Sequence, residues 1–326
     1  MRVETAATLN ALPEGDYRIE LSRLLLRSQI SDQLPSPLMK RCFKLCGLAA
    51  MMLGALAHAH EFWMQSSPGA GPGQEMGLQL FVGENFEGDR IGFGCQYLAD
   101  LKLHSLNGGA DLGQKLPQQG VLGTFPLPAL PAGIHLVSYD SQPSFIELPA
   151  DKFHAYLHDE GLDRIIEQRK DAGQEARPGR ERYRRNVKHL IRIGGVTDKT
   201  YALQTGQRLE IVPQNDPFES QPPSSLRLAV RFDGKPLQNA LVKAWHRSPR
   251  QTTMLRARTD NGGNASFMLP FTGDWMISVV HMIPAEQKEL ADWDSFWGNL
   301  TFSLPQGENT QRQDGKSVTD GTRKED

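Results

Sequence analysis

The chain has 326 residues, 36 basic and 38 acidic, with a formal net charge of −2 at pH 7. Apolar residues make up 39% and charged residues 23%, an ordinary globular composition for one large or two modest domains. The balanced charge gives no bulk electrostatic reason to bind nucleic acid. Only 3 cysteines are present, which excludes a disulfide-stapled scaffold. No apolar run reaches the roughly 18 to 20 residues of a membrane-spanning helix, so no transmembrane anchor is predicted.

Residues 39–59 contain the three parts of an export signal in order. A basic start at 40–44 is followed by an apolar stretch at 45–57 and by an Ala-His-Ala sequence that ends at Ala59. That order and length are typical of a signal peptide, although a short buried helix is the structural alternative. We therefore predict cleavage after Ala59 and a periplasmic mature protein that begins at His60.

The segment before the signal, residues 1–38, is unexpected because an export signal normally lies at the extreme N-terminus. Met39 directly precedes the Lys-Arg pair of the signal. We expect Met39 to be the true start and 1–38 to be a mis-assigned upstream extension; a long basic region before the apolar stretch is the alternative. Cleavage would leave Cys95 as the single cysteine, so no intramolecular disulfide is predicted in an oxidising compartment.

Two regions of short apolar–polar alternation are separated by a region with a different period. Alternation runs over 76–148 and returns near 200, with Gly, Pro and Asn turns between the runs. This spacing favours antiparallel sandwiches. We predict a mainly β protein with two immunoglobulin-like or prealbumin-like β-sandwich domains, at 60–149 and 200–304. Residues 305–326 are polar and are predicted to be a disordered tail.

A helical insertion or linker is predicted between the two sandwiches, at 150–199. Phe153, Tyr156 and Leu157 recur at helical spacing after a candidate N-cap, Asp151. A second short helix is predicted after Gly161. One further amphipathic helical turn is predicted from three apolar residues, Tyr183, Val187 and Leu190.

The predicted cleavage makes His60 the first residue of the mature chain. An N-terminal histidine offers an α-amine and a ring nitrogen as donors within one residue, and imidazole suits copper, nickel, zinc and cobalt. A second imidazole would complete a T-shaped copper site, the histidine brace. The alternative is that His60 is merely where the peptidase cuts.

Strand histidines are the candidate partners of His60. His135 shares its strand face with Val137, and His281 shares its face with Trp275. A histidine in a strand is often only a satisfied core or rim residue, and that alternative stays open for both. We predict a metal site formed by His60, His135 and His281.

Other histidines and a basic cluster are weaker candidates for a functional site. His154 and His158 have the i, i+4 spacing that lets two imidazoles bind one metal on a helix, but the metalloprotease glutamate is missing. His246 is a further strand histidine. A basic cluster looks like an anion site in isolation, with a solvated or internally paired face as the alternative: Arg180, Arg182, Arg184, Arg185 and Lys188.

Enzyme signatures are missing from the sequence. It contains no G-x-S-x-G nucleophile elbow, no G-x-x-x-x-G-K-[ST] phosphate loop and no H-E-x-x-H metalloprotease motif. Cys95 would be a nucleophile only with a histidine beside it in the fold. A non-catalytic protein is therefore the preferred prediction.

Several segments in order resemble one known family over about 60–304. They are HEFW from His60, VGE from Val82, ELPADKFHAYLHDEGLD, the R-E-x-Y-x-R-x-x-K pattern from Arg180, GKPL from Gly234, GDW from Gly273, VHM from Val280 and WDSFW from Trp293. Together they resemble the bacterial periplasmic domain-of-unknown-function family 4198, labelled a nickel/cobalt uptake component and NikM-like.

This resemblance implies β-sandwich domains, a periplasmic location and metal handling. Family members often carry a histidine near 93–96, where this chain has Cys95; Cys95 either replaces that ligand or the site is lost. We predict a periplasmic binding protein for a divalent transition metal, nickel or cobalt favoured and copper or zinc also suitable, that feeds an envelope uptake system or membrane transporter.

Two alternatives belong to other classes. One is a structural or interaction module of the cell envelope with no metal, which predicts that the histidines are scattered in space. The other is a copper oxidase with a histidine brace at His60, which requires a second histidine within about 4 Å. Because zinc–nitrogen bonds are only about 2 Å long, separation of the histidines by more than about 10 Å would exclude a shared ion.

Overall fold

The computed structural model of the protein describes residues 60–67, 71–219, 221–249 and 251–304. The predicted signal peptide, the upstream extension and the predicted tail lie outside the described residues. Within those ranges, no helix has both the length and the apolar character needed to cross a membrane.

The predicted mainly β class with a sandwich arrangement is confirmed. Among the described residues the strands, in chain order, are β1 (Glu61–Ser66), β2 (Met76–Glu84), β3 (Glu87–Ile91), β4 (Leu98–Ser105), β5 (Gly108–Asp111), β6 (Phe125–Leu127), β7 (Gly133–Ser141), β8 (Ser144–Leu148), β9 (Gly179–Ile193), β10 (Leu209–Pro213), β11 (Ser224–Phe232), β12 (Lys235–Pro236), β13 (Leu241–Arg247), β14 (Thr252–Arg258), β15 (Asn264–Leu269), β16 (Gly273–Pro284) and β17 (Trp293–Leu304). The helices are α1 (Ala150–Asp159) and α2 (Asp163–Asp171), with short 3-10 turns at Cys95–Tyr97, Gly113–Lys115 and Lys199–Ala202.

One large sheet contains strands from both predicted domains. Its order is β14-β13-β16-β17-β9-β7-β4-β5, with β8 paired to the first part of β9. The central strands β9 and β17 run parallel and pair residues such as Glu181 and Trp293, which lie 112 positions apart in the chain. The sheet is therefore continuous across the domain limits that alternation suggested.

The prediction of a helical turn around Tyr183, Val187 and Leu190 is wrong, because these residues lie in the 15-residue strand β9. Both faces of β9 are covered, so its polar residues Lys188 and His189 are buried as well. Such a strand does not show the apolar–polar alternation of a half-exposed strand.

The two predicted helices are present as α1 and α2. Phe153, Tyr156 and Leu157 are buried on one face of α1, as the spacing predicts. The N-cap is Pro149 rather than Asp151, which lies in the first turn. Gly161 follows the helix with φ of 65°, a conformation that glycine adopts without steric cost.

Smaller layers cover the two faces of the large sheet. One face packs against the sheet of β10, β11, β12 and β15, and its core includes Leu228, Ile277 and Leu300. The opposite face packs against the sheet of β1, β2, β3 and β6 and against the two helices. We call the face covered by β10, β11, β12 and β15 the C-terminal face of the large sheet, and the opposite face the N-terminal face.

Strand β1 lies against the middle of the N-terminal face. Thr301 Oγ1 donates a hydrogen bond to the Met64 carbonyl at 2.7 Å, which joins β17 to β1. The Trp63 side chain is fully buried and packs against Phe81 and Phe86, with ring centroids 5.6 and 5.4 Å away. This packing places the residue before β1, His60, at a defined position on the molecule.

Candidate functional site

His60 lies beside a carboxylate on the neighbouring strand. Because Glu61 pairs with Gly83 in the antiparallel β1–β2 ladder, the residues just outside that pair approach each other. His60 Nε2 is 3.7 Å from Glu84 Oε1, and each side chain is 37% exposed. We call this pair the N-terminal site.

Arg185 joins the N-terminal site to the large sheet. Its Nη1 donates a hydrogen bond to the His60 carbonyl at 3.2 Å. The guanidinium also lies over the rings of Phe62 and Tyr183, at 4.7 and 5.3 Å from their centroids. The backbone of His60 is therefore held by a cation that aromatic side chains position.

Beneath β1 lies a group of buried ionisable side chains that the sequence analysis did not single out. We call Glu61, Glu160, Glu181 and Lys243 the buried charged cluster. Glu61 accepts hydrogen bonds from Ser278 Oγ at 2.7 Å and Asn299 Nδ2 at 2.9 Å. Lys243 Nζ donates to Glu160 Oε2 at 2.7 Å.

The third carboxylate of this cluster lies under α1. Glu181 accepts hydrogen bonds from Tyr156 OH at 3.3 Å and from Ser295 Oγ. The Tyr156 ring is stacked on Trp297, with centroids 5.7 Å apart and planes inclined by 8°. The helix therefore covers the carboxylate and excludes water from it.

Burial dominates the electrostatics of the three carboxylates. It raises the pKa of Glu160 and of Glu181 to about 7, and it raises the pKa of Glu61. The positive charge of Lys243 partly offsets this rise at Glu61 and Glu160. Glu160 and Glu181 can therefore hold or release a proton near neutral pH.

A sequence signal for this cluster exists in the strands. Lys243 and Ser278 are polar residues flanked by buried apolar ones on strands covered on both faces. A polar side chain in a doubly buried strand needs a buried partner. The pattern indicates that partners exist but not which residues they are.

His135 lies on the N-terminal face and is 3% exposed. Its Nε2 is 2.9 Å from the Pro131 carbonyl. Its Nδ1 is buried with no hydrogen-bond partner among the residues that the structure describes. The imidazole is thus a core side chain with one backbone contact.

His281 lies on the C-terminal face, packed against aromatic rings. Its ring centroid is 4.4 Å from that of Phe232. Burial lowers the pKa of His281 to about 4, and the positive charges of Arg164 and Arg208 lower it further, against Asp233. The ring is therefore neutral at pH 7 in a positively charged setting.

The sheet register separates His135 from His281. His135 pairs with Ile191 of β9, whereas His281 pairs with Phe296, whose partner on β9 is Arg184. Those two β9 positions are seven residues apart, about 23 Å along the strand, and β7 and β16 are three strands, about 14 Å, apart.

The two histidines also lie on opposite faces, and His60 lies on the face away from His281. The large sheet therefore does not bring the three imidazoles together. Within the described ranges there is also no group of three or more His, Cys, Asp or Glu side chains that could hold a metal ion. Whether His60, His135 or His281 binds a metal stays a prediction.

The weaker candidates lie elsewhere. His154 and His158 are exposed on α1. His246 Nε2 is 2.8 Å from the Thr272 carbonyl, and the ring packs on Trp275. Cys95 is half-buried, and its Sγ donates to the Gln118 carbonyl at 3.4 Å.

Comparison with curated proteins gives no match. One solved structure with some similarity is a tetra-tandem repeat in the extending region of a large adhesion protein; it is 10% identical, with a TM-score of 0.19. The alignment covers 76% of this chain and 49% of that one, so this chain spans about half its length. A likeness at that TM-score carries no argument.

Residues 57–283 match the family described as "Domain of unknown function (DUF4198)". The match covers more than two thirds of the chain and includes the N-terminal site, all four residues of the buried charged cluster and His281. The description states no activity, so the nickel and cobalt label stays an expectation. The chain belongs to the DUF4198 family.

Proposed function

We propose that the protein is an exported periplasmic binding protein that holds a divalent transition metal ion at its mature N-terminus, between His60 and Glu84. The observation that supports this proposal is the 3.7 Å separation of His60 Nε2 and Glu84 Oε1. Metal–nitrogen and metal–oxygen bonds of about 2.0–2.2 Å at a tetrahedral angle place two donors roughly 3.3–3.6 Å apart. The observed separation is close to that range.

Cleavage after Ala59 would add the α-amine of His60 as a third donor. The amine forms a chelate with Nδ1 of the same histidine, so the ring turns about its Cβ–Cγ bond to bring Nδ1 to the ion, and the carboxylate of Glu84, already beside the ring, completes a three-donor set. Nickel or cobalt is the metal that the family resemblance favours, while copper and zinc suit the same donors. Because both side chains are 37% exposed, the bound ion is accessible from solvent and can be passed to an uptake system.

Arg185 limits the affinity of this proposed site. Its guanidinium contacts the His60 carbonyl, so a positive charge lies close to where the ion would bind. Like charges repel even across partly solvated surfaces. A site of moderate affinity suits a carrier that must release its metal to a partner.

The test compares chains that differ only at the N-terminal site. A chain beginning at His60, verified by intact mass, is titrated calorimetrically with Ni²⁺, Co²⁺, Cu²⁺ and Zn²⁺. We expect near one equivalent of at least one metal, weakened at least tenfold by one added N-terminal alanine, by His60→Ala and by Glu84→Gln. The matched control Glu147→Gln, exposed on β8, should leave binding unchanged.

The proposal fails if the chain that begins at His60 takes up none of the four metals, or if His60→Ala binds as the parent does. Sequencing the N-terminus of protein recovered from the periplasm tests cleavage separately. A start at any other residue removes the α-amine donor and with it this site.

A second candidate is a non-catalytic structural or interaction module of the cell envelope with no metal. The observation that favours it is the placement of His135 and His281 on opposite faces of the large sheet, each in its own packing. A protein that begins at His60 and binds no metal would favour this function. The copper oxidase alternative needs a second imidazole beside His60, whereas the structure places the carboxylate of Glu84 beside His60 Nε2.

A further inference from the structure

Arg184 lies in a row of side chains on the C-terminal face, away from the N-terminal site. Arg184 on β9 pairs with Phe296 on β17, and Phe296 pairs with His281 on β16. Two strand spacings, about 10 Å, separate the backbones of Arg184 and His281. These two side chains therefore flank the Phe296 ring.

Arg208 covers the centre of this row. Its guanidinium carbon is 4.4 Å from the Phe296 centroid and 5.2 Å from the Phe232 centroid. The Phe232 ring in turn contacts His281. We call Arg184, Arg208 and His281, arranged around Phe296, the cationic row. Each of its three members is half-buried and so reachable from solvent.

Two neighbouring arginines form ion pairs, whereas no ion pair of Arg184 occurs among the residues that the structure describes. Arg182 Nη2 donates to Asp294 Oδ2 at 2.7 Å, and its Nε bonds the other oxygen. Arg208 makes the same two-bond contact with Asp233, at 2.8 Å for each bond. Arg184 Nη1, in contrast, is buried without a hydrogen-bond partner in the described part of the chain.

The charges around the row favour an anion. Burial lowers the pKa of Arg184, and the nearby positive charges of Arg182 and Arg208 lower it further, against Asp294 and Glu286. Since Asp294 and Asp233 already neutralise Arg182 and Arg208, no ion pair within the described ranges is dedicated to the charge of Arg184. The same positive charges would repel a divalent metal ion at His281.

We propose that Arg184 binds a phosphate or sulfate group, with Arg208 at its side and the neutral His281 ring as a further donor. The planar guanidinium presents parallel N–H donors that match two oxygens of such a group. Binding requires a shift of the half-buried Arg184 side chain that brings Nη1 to the group, which then accepts its hydrogen bond and neutralises the excess charge. This site is independent of the proposed metal site, because it lies on the other face of the large sheet.

The test uses the purified chain in metal-free buffer with a chelator. Calorimetric titration with inorganic phosphate and with sulfate should give binding in the millimolar range or tighter, weakening as sodium chloride is added. Arg184→Gln should weaken it at least tenfold. The matched control Arg227→Gln, exposed on β11, should leave binding unchanged.

A melting measurement separates a binding role from a structural role. Without phosphate or sulfate, Arg184→Gln should melt at the same temperature as the parent or higher, because it removes an unpaired charge from among like charges. With phosphate, the melting temperature of the parent should rise and that of Arg184→Gln should not.

Three outcomes would overturn the proposal: no binding of either anion by the parent, binding by Arg184→Gln equal to that of the parent, or equal loss in Arg227→Gln. Flotation with phosphatidylglycerol vesicles identifies the source of the group. If vesicles bind through Arg184 and the free ions also bind, the phosphate of a lipid head group is one natural ligand. If only the free ions bind, the ligand is a small soluble anion.

Discussion

Lys243 Nζ donates a hydrogen bond to Glu160 Oε2 at 2.7 Å, with the two side chains only 7% and 9% exposed. Lys243 lies on β13, next to the edge strand β14 of the large sheet, and Glu160 directly follows α1. The contact therefore ties the pair of helices to the sheet from below. Two buried charges stabilise each other, but a buried charge that has lost its partner lowers the free energy of unfolding.

Lys243→Met should lower the free energy of unfolding by about 3–5 kcal/mol, because Glu160 would remain buried with no cation. Adding Glu160→Gln should recover much of that loss, because the carboxylate that Lys243 contacts directly is then replaced by an uncharged amide. Urea denaturation of the two variants and the parent measures both changes.

The matched control for this pair is Lys102→Met. Lys102 pairs with Asp100 at 2.8 Å, but the side chains are 48% and 36% exposed. Removing an exposed partner costs roughly 0–1 kcal/mol. Equal losses in Lys102→Met and Lys243→Met would contradict the role assigned to burial.

Glu181→Gln should change how stability depends on pH. The pKa of Glu181 is raised to about 7 in the folded protein, from an ordinary value of 4.5. The folded state then binds more protons than the unfolded state between those values, so this group's contribution is present below pH 4.5 and is lost as pH rises through 7. Glutamine does not titrate, so the variant should gain up to about 3 kcal/mol relative to the parent from pH 4.5 to pH 8. Denaturation at several pH values measures the difference, and a constant difference would contradict it.

His189 should contribute the opposite pH dependence. Ser66 N donates to its Nε2 at 3.1 Å, so the ring proton lies on Nδ1, which donates to Thr301 Oγ1 at 2.9 Å. Burial lowers the pKa of His189 to about 4. The unfolded state therefore binds the proton first, and stability present above pH 6.5 is lost as pH falls through 4.

His189→Gln should remove that acid sensitivity. Between pH 7 and pH 4 the parent should lose up to about 3 kcal/mol more than the variant. His154→Gln, on the exposed face of α1, is the control and should follow the parent. The role of His189 is refuted if the parent and His189→Gln lose stability in parallel.

Trp63→Ala should destabilise the protein by about 3–5 kcal/mol, because Trp63 is fully buried and its removal leaves a cavity under β1. Leu106→Ala, where the leucine is 64% exposed, should change the free energy of unfolding by less than about 0.5 kcal/mol. Chemical denaturation of both variants compares them. A small effect at Trp63 would show that β1 does not depend on this packing.

The local pattern of apolar and polar residues predicted secondary structure correctly where one face of an element is buried and the other is exposed. The period of Phe153, Tyr156 and Leu157 predicted α1, and alternation predicted the two strand-rich regions, 76–148 and beyond about 200. It was misleading for β9, because a strand covered by two layers buries polar and apolar residues alike. The buried charged cluster was missed for a different reason: Lys243 and Glu160 are 83 positions apart, and no nearby residue indicates that they are partners.

The sequence by itself determined the face on which each histidine lies within its own strand. His135 does share a face with Val137, and His281 shares one with Trp275, because successive side chains of a strand point to opposite sides. Only the tertiary structure decided what those faces meet. The pairing of β9 with β17 joins residues 112 positions apart and sets His135 and His281 on opposite faces of one sheet. The distance between two side chains depends on such long-range pairing, whereas the period of a strand depends only on its own backbone.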